Sequence, residues 1–424
     1  LNVSAVNPQR EFAVDVVRRL RSAGHTALFA GGCVRDLLLG RPAKDFDVAT
    51  TARPEQVRDL FGHKRTLPIG ASFGVIIVLG PKNAGPVEVA TFRTEGPYHD
   101  GRRPANVDYC TPEEDARRRD FTINGMFYDP VEARLLDFVG GEADLAARVI
   151  RAIGDPHERM QEDKLRMLRA VRFAATLEFA LDPVTAAAVR QMASQLVIVS
   201  AERIAQELKK MLVDKHRRRA IELCEEVDLL PVFLPELNDT LRDAGFREQT
   251  LRMMELLPDP SFELSLAALL HSLQAVRTAT SAQTVETILR RLKLSNDEIQ
   301  RIMWLVDHQD DLADAPALPL CRLKRTLSHE FRDDLIRLLR VKLLATGADP
   351  QPVLFCDEYL ARTPADVINP PPLITGDVLK SLGLVPGPAF RTVLESVRDA
   401  QLNDEIATAE EAIARARRLV APSG

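Results

Sequence analysis

The sequence is short of several things, and each shortage closes off a class of protein. Cysteine is sparse and scattered: Cys33, Cys110, Cys224, Cys321 and Cys356 contain no Cys-x-x-Cys pair. An odd, unspaced set argues against a disulfide framework and against a zinc site. No apolar run approaches the roughly 20 residues a membrane helix needs, and no signal-peptide pattern is present. A soluble, cytoplasmic chain with no membrane partner is therefore expected. Aromatic residues make up only 5% of the chain, which leaves few platforms for stacked bases. Positive charge is not in excess either. With a formal net charge of −5, nucleic-acid contact would have to come from local basic clusters. Low-complexity tracts and internal repeats are also missing.

What is present is ample core material. At 424 residues and 46% hydrophobic content, several packed domains are expected. The most informative stretch runs from Leu28 to Thr50. Leu28, Phe29 and Ala30 form an apolar run stopped by Gly31-Gly32, then Cys33-Val34-Arg35-Asp36, and later Asp45-Phe46-Asp47-Val48. The pattern predicts strand, glycine turn, short helix, strand. Paired glycines let the backbone approach a ligand closely, and N–H groups at a helix start suit a phosphate. Alternation puts Asp45 and Asp47 on one strand face and Phe46 and Val48 on the other. Two carboxylates on one face are either solvated charges on an edge strand or ligands to a hard cation such as Mg²⁺. Two such ions about 4 Å apart can activate an attacking hydroxyl and stabilise a leaving oxygen. A third carboxylate is then needed, and Glu88, in the alternating run Val87–Arg93, is the candidate.

Gly31 through Asp47 matches without a gap the first motif of a family of polymerase-β-type nucleotidyltransferases. The chain resembles the class II tRNA nucleotidyltransferases (CCA-adding) and the bacterial poly(A) polymerases. The resemblance implies an α+β fold: a polymerase-β-like nucleotidyltransferase head, built on a small mixed sheet with helices, followed by an all-α neck, body and tail. It implies catalytic carboxylates at Asp45, Asp47 and Glu88, with metal on Asp45 and Asp47. Gly31, Gly32 and Arg35 would face the triphosphate. Two Mg²⁺ ions are expected, with ATP and CTP as substrates and tRNA as partner; no obligatory protein partner is implied.

Further motifs extend the likeness. Glu95-Gly96-Pro97 through Arg102-Arg103-Pro104 has the composition of a mobile loop. CCA-adding members carry a flexible loop here, often with an Asp-x-Arg-Arg-Pro core, which implies competence to add the terminal A. Arg117-Arg118-Arg119-Asp120-Phe121-Thr122-Ile123-Asn124-Gly125 could be a solvated face. Equally, its arginines could grip triphosphate oxygens and its Asp and Asn a ribose hydroxyl. The segment matches the family's Arg-Arg-Asp-Phe-Thr-x-Asn motif, which assigns Arg119, Asp120 and Asn124 to the nucleotide; Gly125 replaces the usual Ala. Gly140-Gly141 and Asp144 would join head to neck as a hinge.

The segment Gln161–Phe173 is expected to be helical, with Asp163 and Arg166 sharing one face. They could be a simple ion pair. They could also select bases: C and A each offer an amino donor beside a ring-nitrogen acceptor, which a carboxylate and a guanidinium complement. U and G offer a carbonyl and an N–H in those places, and both contacts would fail, leaving buried polar groups unpaired. The family's Glu-Asp-x-x-Arg motif assigns this role to Asp163 and Arg166, supported by Glu162 and Arg169. In Ser200–Met211, Glu202 and Arg203 read as structural braces. Lys209, Lys210, Arg217 and Arg218 are either a solubilising face or contacts to RNA phosphates. Leu269-Leu270-His271-Ser272 echoes the His-Asp motif of phosphohydrolases, but Ser272 stands where the Asp ligand would be. Leu373 to Glu405 resembles the tail that holds the tRNA elbow.

The expected domains are a head (1–150), a neck (151–219) that reads bases and binds RNA, a helical body (220–368), and a tail (369–424) for tRNA. The expected activity is template-independent addition of CCA to the tRNA 3′ end, with release of pyrophosphate. The alternatives are an A-adding enzyme or poly(A) polymerase of the same family, a phosphohydrolase using His271, and a catalytically dead RNA binder.

Overall fold

A computed structural model describes residues 7–70, 74–95, 107–275, 281–381 and 387–420. The polar loop expected up to Pro104 lies, beyond Glu95, outside the described residues. So do Ser72, Phe73 and residues 382–386 of the segment likened to the tRNA-holding tail. The chain packs as two compact units, Leu1–Pro235 and Glu236–Gly424. Among the described residues no helix is long and apolar enough to cross a membrane.

The first unit opens with α1 (Pro8–Ser22), whose first turn is capped by the Asn7 side chain and whose buried stripe is Phe12, Val16, Val17 and Leu20. Then come β1 (Ala27–Ala30), α2 (Gly32–Leu38), β2 (Asp47–Thr50), α3 (Pro54–Phe61), β3 (Thr66–Gly70), β4 (Val75–Leu79) and β5 (Pro86–Thr91). A short ribbon of β6 (Arg93–Glu95) and β7 (Val107–Tyr109) leads into α4 (Pro112–Arg117), which starts on a Thr111–Glu114 capping box. Glu95 thus ends a strand rather than starting the expected loop. β8 (Phe127–Asp129), β9 (Arg134–Leu136) and α5 (Gly141–Ala147) complete the head.

Seven strands form one sheet in the order β3-β4-β5-β2-β1-β8-β9. Most pairs are antiparallel, but β2 and β5 run parallel, with Val48 opposite Val89. The residues one step earlier, Asp47 and Glu88, therefore stand side by side at the same strand ends. On the other flank Ala30 pairs with Asp47, so the Gly31 turn begins beside that carboxylate. Registry alone thus gathers three sequence motifs at one end of the central strands. The core beneath holds Leu28, Ala30, Ala49, Phe92 and Phe127, with Phe92 and Phe127 edge to face at 5.5 Å. Burying each such ring stabilises the fold by about 2–3 kcal/mol. β4 is less enclosed than its apolar run suggests: Ile76 and Val78 are buried, whereas Val75, Ile77 and Leu79 are only half-buried.

The neck continues the same unit with β10 (Val149–Ile150), α6 (Pro156–Glu162), α7 (Leu165–Leu177), β11 (Ala180–Leu181), α8 (Pro183–Met192), α9 (Ala201–Leu212) and α10 (Arg217–Glu226). α7 packs on α9 and α10 and reaches the head through Phe173, edge to face with Phe121 at 5.8 Å. Among its described residues the second unit consists of helices and the turns that join them, without a strand.

Candidate active site

A cavity of about 570 Å³ opens between these strand ends and α7. One wall is the glycine turn with Arg35, Asp47 and Arg119; the other is Asp163, Arg166, Arg169 and Phe173, with Arg118, Asp120 and Asn124 between them. Gly31 has φ +72°, a backbone state that side-chain-bearing residues rarely adopt. A Cβ there would lie 3.3 Å from Arg119 Nη1, and one on Gly32 would lie 3.6 Å from Arg35 Nη2. Two guanidinium groups therefore front the bare turn, as a polyanion requires.

Asp45 and Asp47 are exposed, with Phe46 buried between them, and Glu88 is exposed on β5. The Asp47 carboxyl is pushed up to about 6: protein crowding strips its hydration, and Glu88 and then Asp45 repel its charge, only partly offset by Arg119. Among the described residues no group of three or more Asp, Glu, His or Cys side chains is arranged to hold a metal ion. The three carboxylates are neighbours in charge without forming a closed ligand cage. Such a site fits Mg²⁺, which is held by one or two carboxylates and completes its shell with water and substrate phosphate.

The opposite chemistry prevails a few ångströms of chain away. Asp115, which sequence reasoning missed, is 1% exposed and holds both pocket arginines. Arg118 Nε donates to it at 2.9 Å, and Arg119 donates through Nε at 3.1 Å and Nη2 at 2.9 Å. Its place three and four residues before those arginines, on one helical face, was the available signal. Arg117 instead pairs outward with Glu113. Asp120 is buried and accepts from Arg169 Nε and Nη2, from Asn124 Nδ2 at 3.1 Å and from the Phe121 N–H. Burial works to raise its pKa, but Arg169 and Asn124 overcome it and hold the carboxyl down at about 2. Asn124 Oδ1 in turn accepts from Arg35 at 2.9 Å. Asp120 thus orients its neighbours, and the side chains it orients face the cavity. Gly125 is a fitted residue here, since a Cβ would lie 2.7 Å from Val139 Cγ2.

The expected single helix over Gln161–Phe173 is interrupted. α6 ends at Glu162, Asp163 is extended (φ −142°, ψ 105°), and α7 starts at Leu165. Asp163 and Arg166 consequently do not pair with each other. Arg203, expected only to brace, grips both oxygens of Asp163 at 3.1 and 2.7 Å. Arg166 is buried and is held by Glu162 and by the carbonyls of Arg159 and Arg118. A carboxylate has about four acceptor sites and a guanidinium five donors. With the Leu165 N–H also on Oδ1, Asp163 keeps one acceptor on Oδ2, and Arg166 keeps Nε–H and one Nη2–H. Phe173, 7% exposed, also lines the cavity, with Arg35, Arg169 and Arg172 around its ring.

Arg217 is withdrawn as an RNA contact: it is 3% exposed and donates to the Leu212 carbonyl. Arg218 pairs with Glu222 and Lys210 with buried Glu207; Lys209 also has a partner. The phosphohydrolase alternative fails at His271. That side chain is 3% exposed, its Nδ1 faces the Ala268 carbonyl, and burial drops its pKa to about 4.

The fold and cavity define a nucleotidyltransferase head joined to a helical neck. Residues 27–151 match the Poly A polymerase head domain, and residues 178–241 match the probable RNA and SrmB-binding site of polymerase A. The chain is 34% identical over 420 residues, 96% of each sequence, to the CCA-adding enzyme of Geobacillus stearothermophilus. It is 31% identical to that of Lactococcus lactis subsp. cremoris, covering 95% of this chain and 94% of the other. The solved CCA-adding enzyme of Bacillus stearothermophilus in complex with CTP superimposes with a TM-score of 0.77 at 29% identity, over 98% of both chains. The Thermotoga maritima CCA-adding enzyme complexed with tRNA shares the fold, with a TM-score of 0.62 at 21% identity over 97% and 96% of the chains. The chain belongs to the family of CCA-adding enzymes.

Proposed function

We propose that the chain adds C, C and A to the 3′ end of tRNA from CTP and ATP, without a nucleic-acid template, releasing pyrophosphate. What supports this reading is one cavity lined by the Asp47 carboxylate, a glycine turn fronted by two arginines, and the side chains of Asp163 and Arg166, each with hydrogen-bonding capacity to spare. Arg35 and Arg119 bind the triphosphate over Gly31-Gly32. The spare acceptor of Asp163 takes the amino group of C or A, and the spare donors of Arg166 take the ring nitrogen. U and G would leave both groups unpaired, at a cost of several kcal/mol. Asp120, Asn124 and Arg169 keep this wall in place.

Magnesium belongs to the same proposal. Asp45 and Asp47, with Glu88 alongside, would hold it; when bound it lowers the pKa of the attacking 3′ hydroxyl and neutralises charge on the leaving oxygens. The test is a product-length assay on tRNA ending before, within and after CC, with each nucleotide alone. CTP should extend only the two shorter ends, and ATP only the CC end. Uptake of UTP or GTP would overturn the reading, and long A tails on unstructured RNA would favour a poly(A) polymerase.

A further inference from the structure

The second unit contains a cavity of about 620 Å³ that this function does not use. Its wall carries Trp304, the chain's single tryptophan, from the helix Asn296–Asp307, with His308 just past the helix end and His329 from the turn after Leu320–Leu327. Trp304 and His329 lie parallel, with centroids 3.9 Å apart and planes 6° off. His308 leans on Trp304 at 4.8 Å. Phe331 meets His329 edge to face at 5.1 Å and props it from behind. A propped stack of flat rings opening on a cavity can accept another flat ring.

The charged groups along the wall have partners, with one exception. Asp311 pairs with His308 at 2.6 Å, Asp310 with Lys342 at 2.6 Å, and Arg325 with Asp399 at 2.7 Å. Arg322 is exposed, and its guanidinium has no hydrogen bond or ion pair among the described residues. Nδ1 of His329 accepts from the Phe331 N–H at 3.2 Å, so its proton sits on Nε2 as a donor. The volume lies within the roughly 300–1,000 Å³ of small-ligand sites.

We propose that this cavity is a second nucleotide site, taking one unpaired base against the Trp304–His329–His308 stack and its phosphate on Arg322. The nucleotide can come from bound RNA or from solution. The RNA source rests on the function proposed above, whereas the site itself does not.

Trp304 reports on the cavity directly. Its fluorescence in the full chain should be quenched saturably by an unpaired hexanucleotide RNA, by CMP or AMP, or by both. Arg322→Glu and His308→Ala, each checked for folding by circular dichroism, should weaken that binding about fivefold or more. Quenching by RNA alone assigns the RNA source, and quenching by mononucleotide alone assigns the free one. Absence of saturable quenching up to roughly millimolar ligand, or identical curves in the parent and both variants, would overturn the site. An enzyme inactive on tRNA that still shows the quench would sink the proposed activity and leave the site standing.

Discussion

Two sides of the candidate active-site cavity treat the same side chain in opposite ways. At the strand ends Asp47 has Glu88 and Asp45 for neighbours, and its carboxyl is pushed up to about 6. Facing the neck, Asp120 meets Arg169 of α7 and Asn124, and its carboxyl is held down at about 2. One wall gathers negative charge, an arrangement that suits a divalent cation. The other has already found its cation within the protein. A perturbed carboxylate therefore marks chemistry only when the sign of its shift is read together with its neighbours.

Breaking the first wall should have the largest effect. Asp47→Asn should lower nucleotide incorporation by about three orders of magnitude or more, measured with labelled CTP on tRNA lacking CCA, with the fold retained. Breaking the second wall should cost stability first. Asp120→Ala leaves partly exposed Arg169 paired, among the described residues, only with Glu207 at 3.9 Å, and losing its main partner should cost about 1–3 kcal/mol, readable as a lower midpoint in urea.

The pH profiles sharpen the contrast. Asp47 has a raised folded pKa, so its ionisation opposes folding as pH climbs from about 4 through 6. Without divalent metal, Asp47→Asn should melt higher than the parent above pH 6 and match it below about pH 4. Asp120 has a depressed pKa, so its stabilisation is complete above about pH 4 and fades as pH falls towards 2. The Asp120→Ala deficit should shrink over that range in calorimetry. The smallest change is expected from Arg203→Ala, which frees Asp163 without unpacking a core. The preference for CTP over UTP should fall by about tenfold with the melting temperature nearly unchanged, and an unaltered preference would remove Arg203 from base selection.

Much of the strand-end wall was legible because its parts are local: a glycine pair after an apolar run, two Asp with one residue between, an alternating strand carrying Glu88. The neck wall was legible as a set of residues but not as geometry. Neither Gly nor Pro marks the break at Asp163, so the spacing to Arg166 read as one continuous helix. Partners far along the chain, such as Arg203 for Asp163 and Asp120 for Arg169, arise only from packing. Arg217 illustrates the reverse error, a basic residue in a basic cluster that the fold consumes internally. The Trp304 cavity was invisible because His329 lies more than a helix beyond Trp304 and His308, in a stretch whose sequence carries no motif.

Arg35, Asn124, Asp120 and Arg169 touch in series from the glycine turn to α7. The end of the cavity that would grip phosphates and the end that would judge the base are thus wired to each other through polar side chains of fixed length. Evolution cannot retune one end at leisure: a replacement at any of these four positions must be answered by the others, so drift here proceeds by joint steps or not at all.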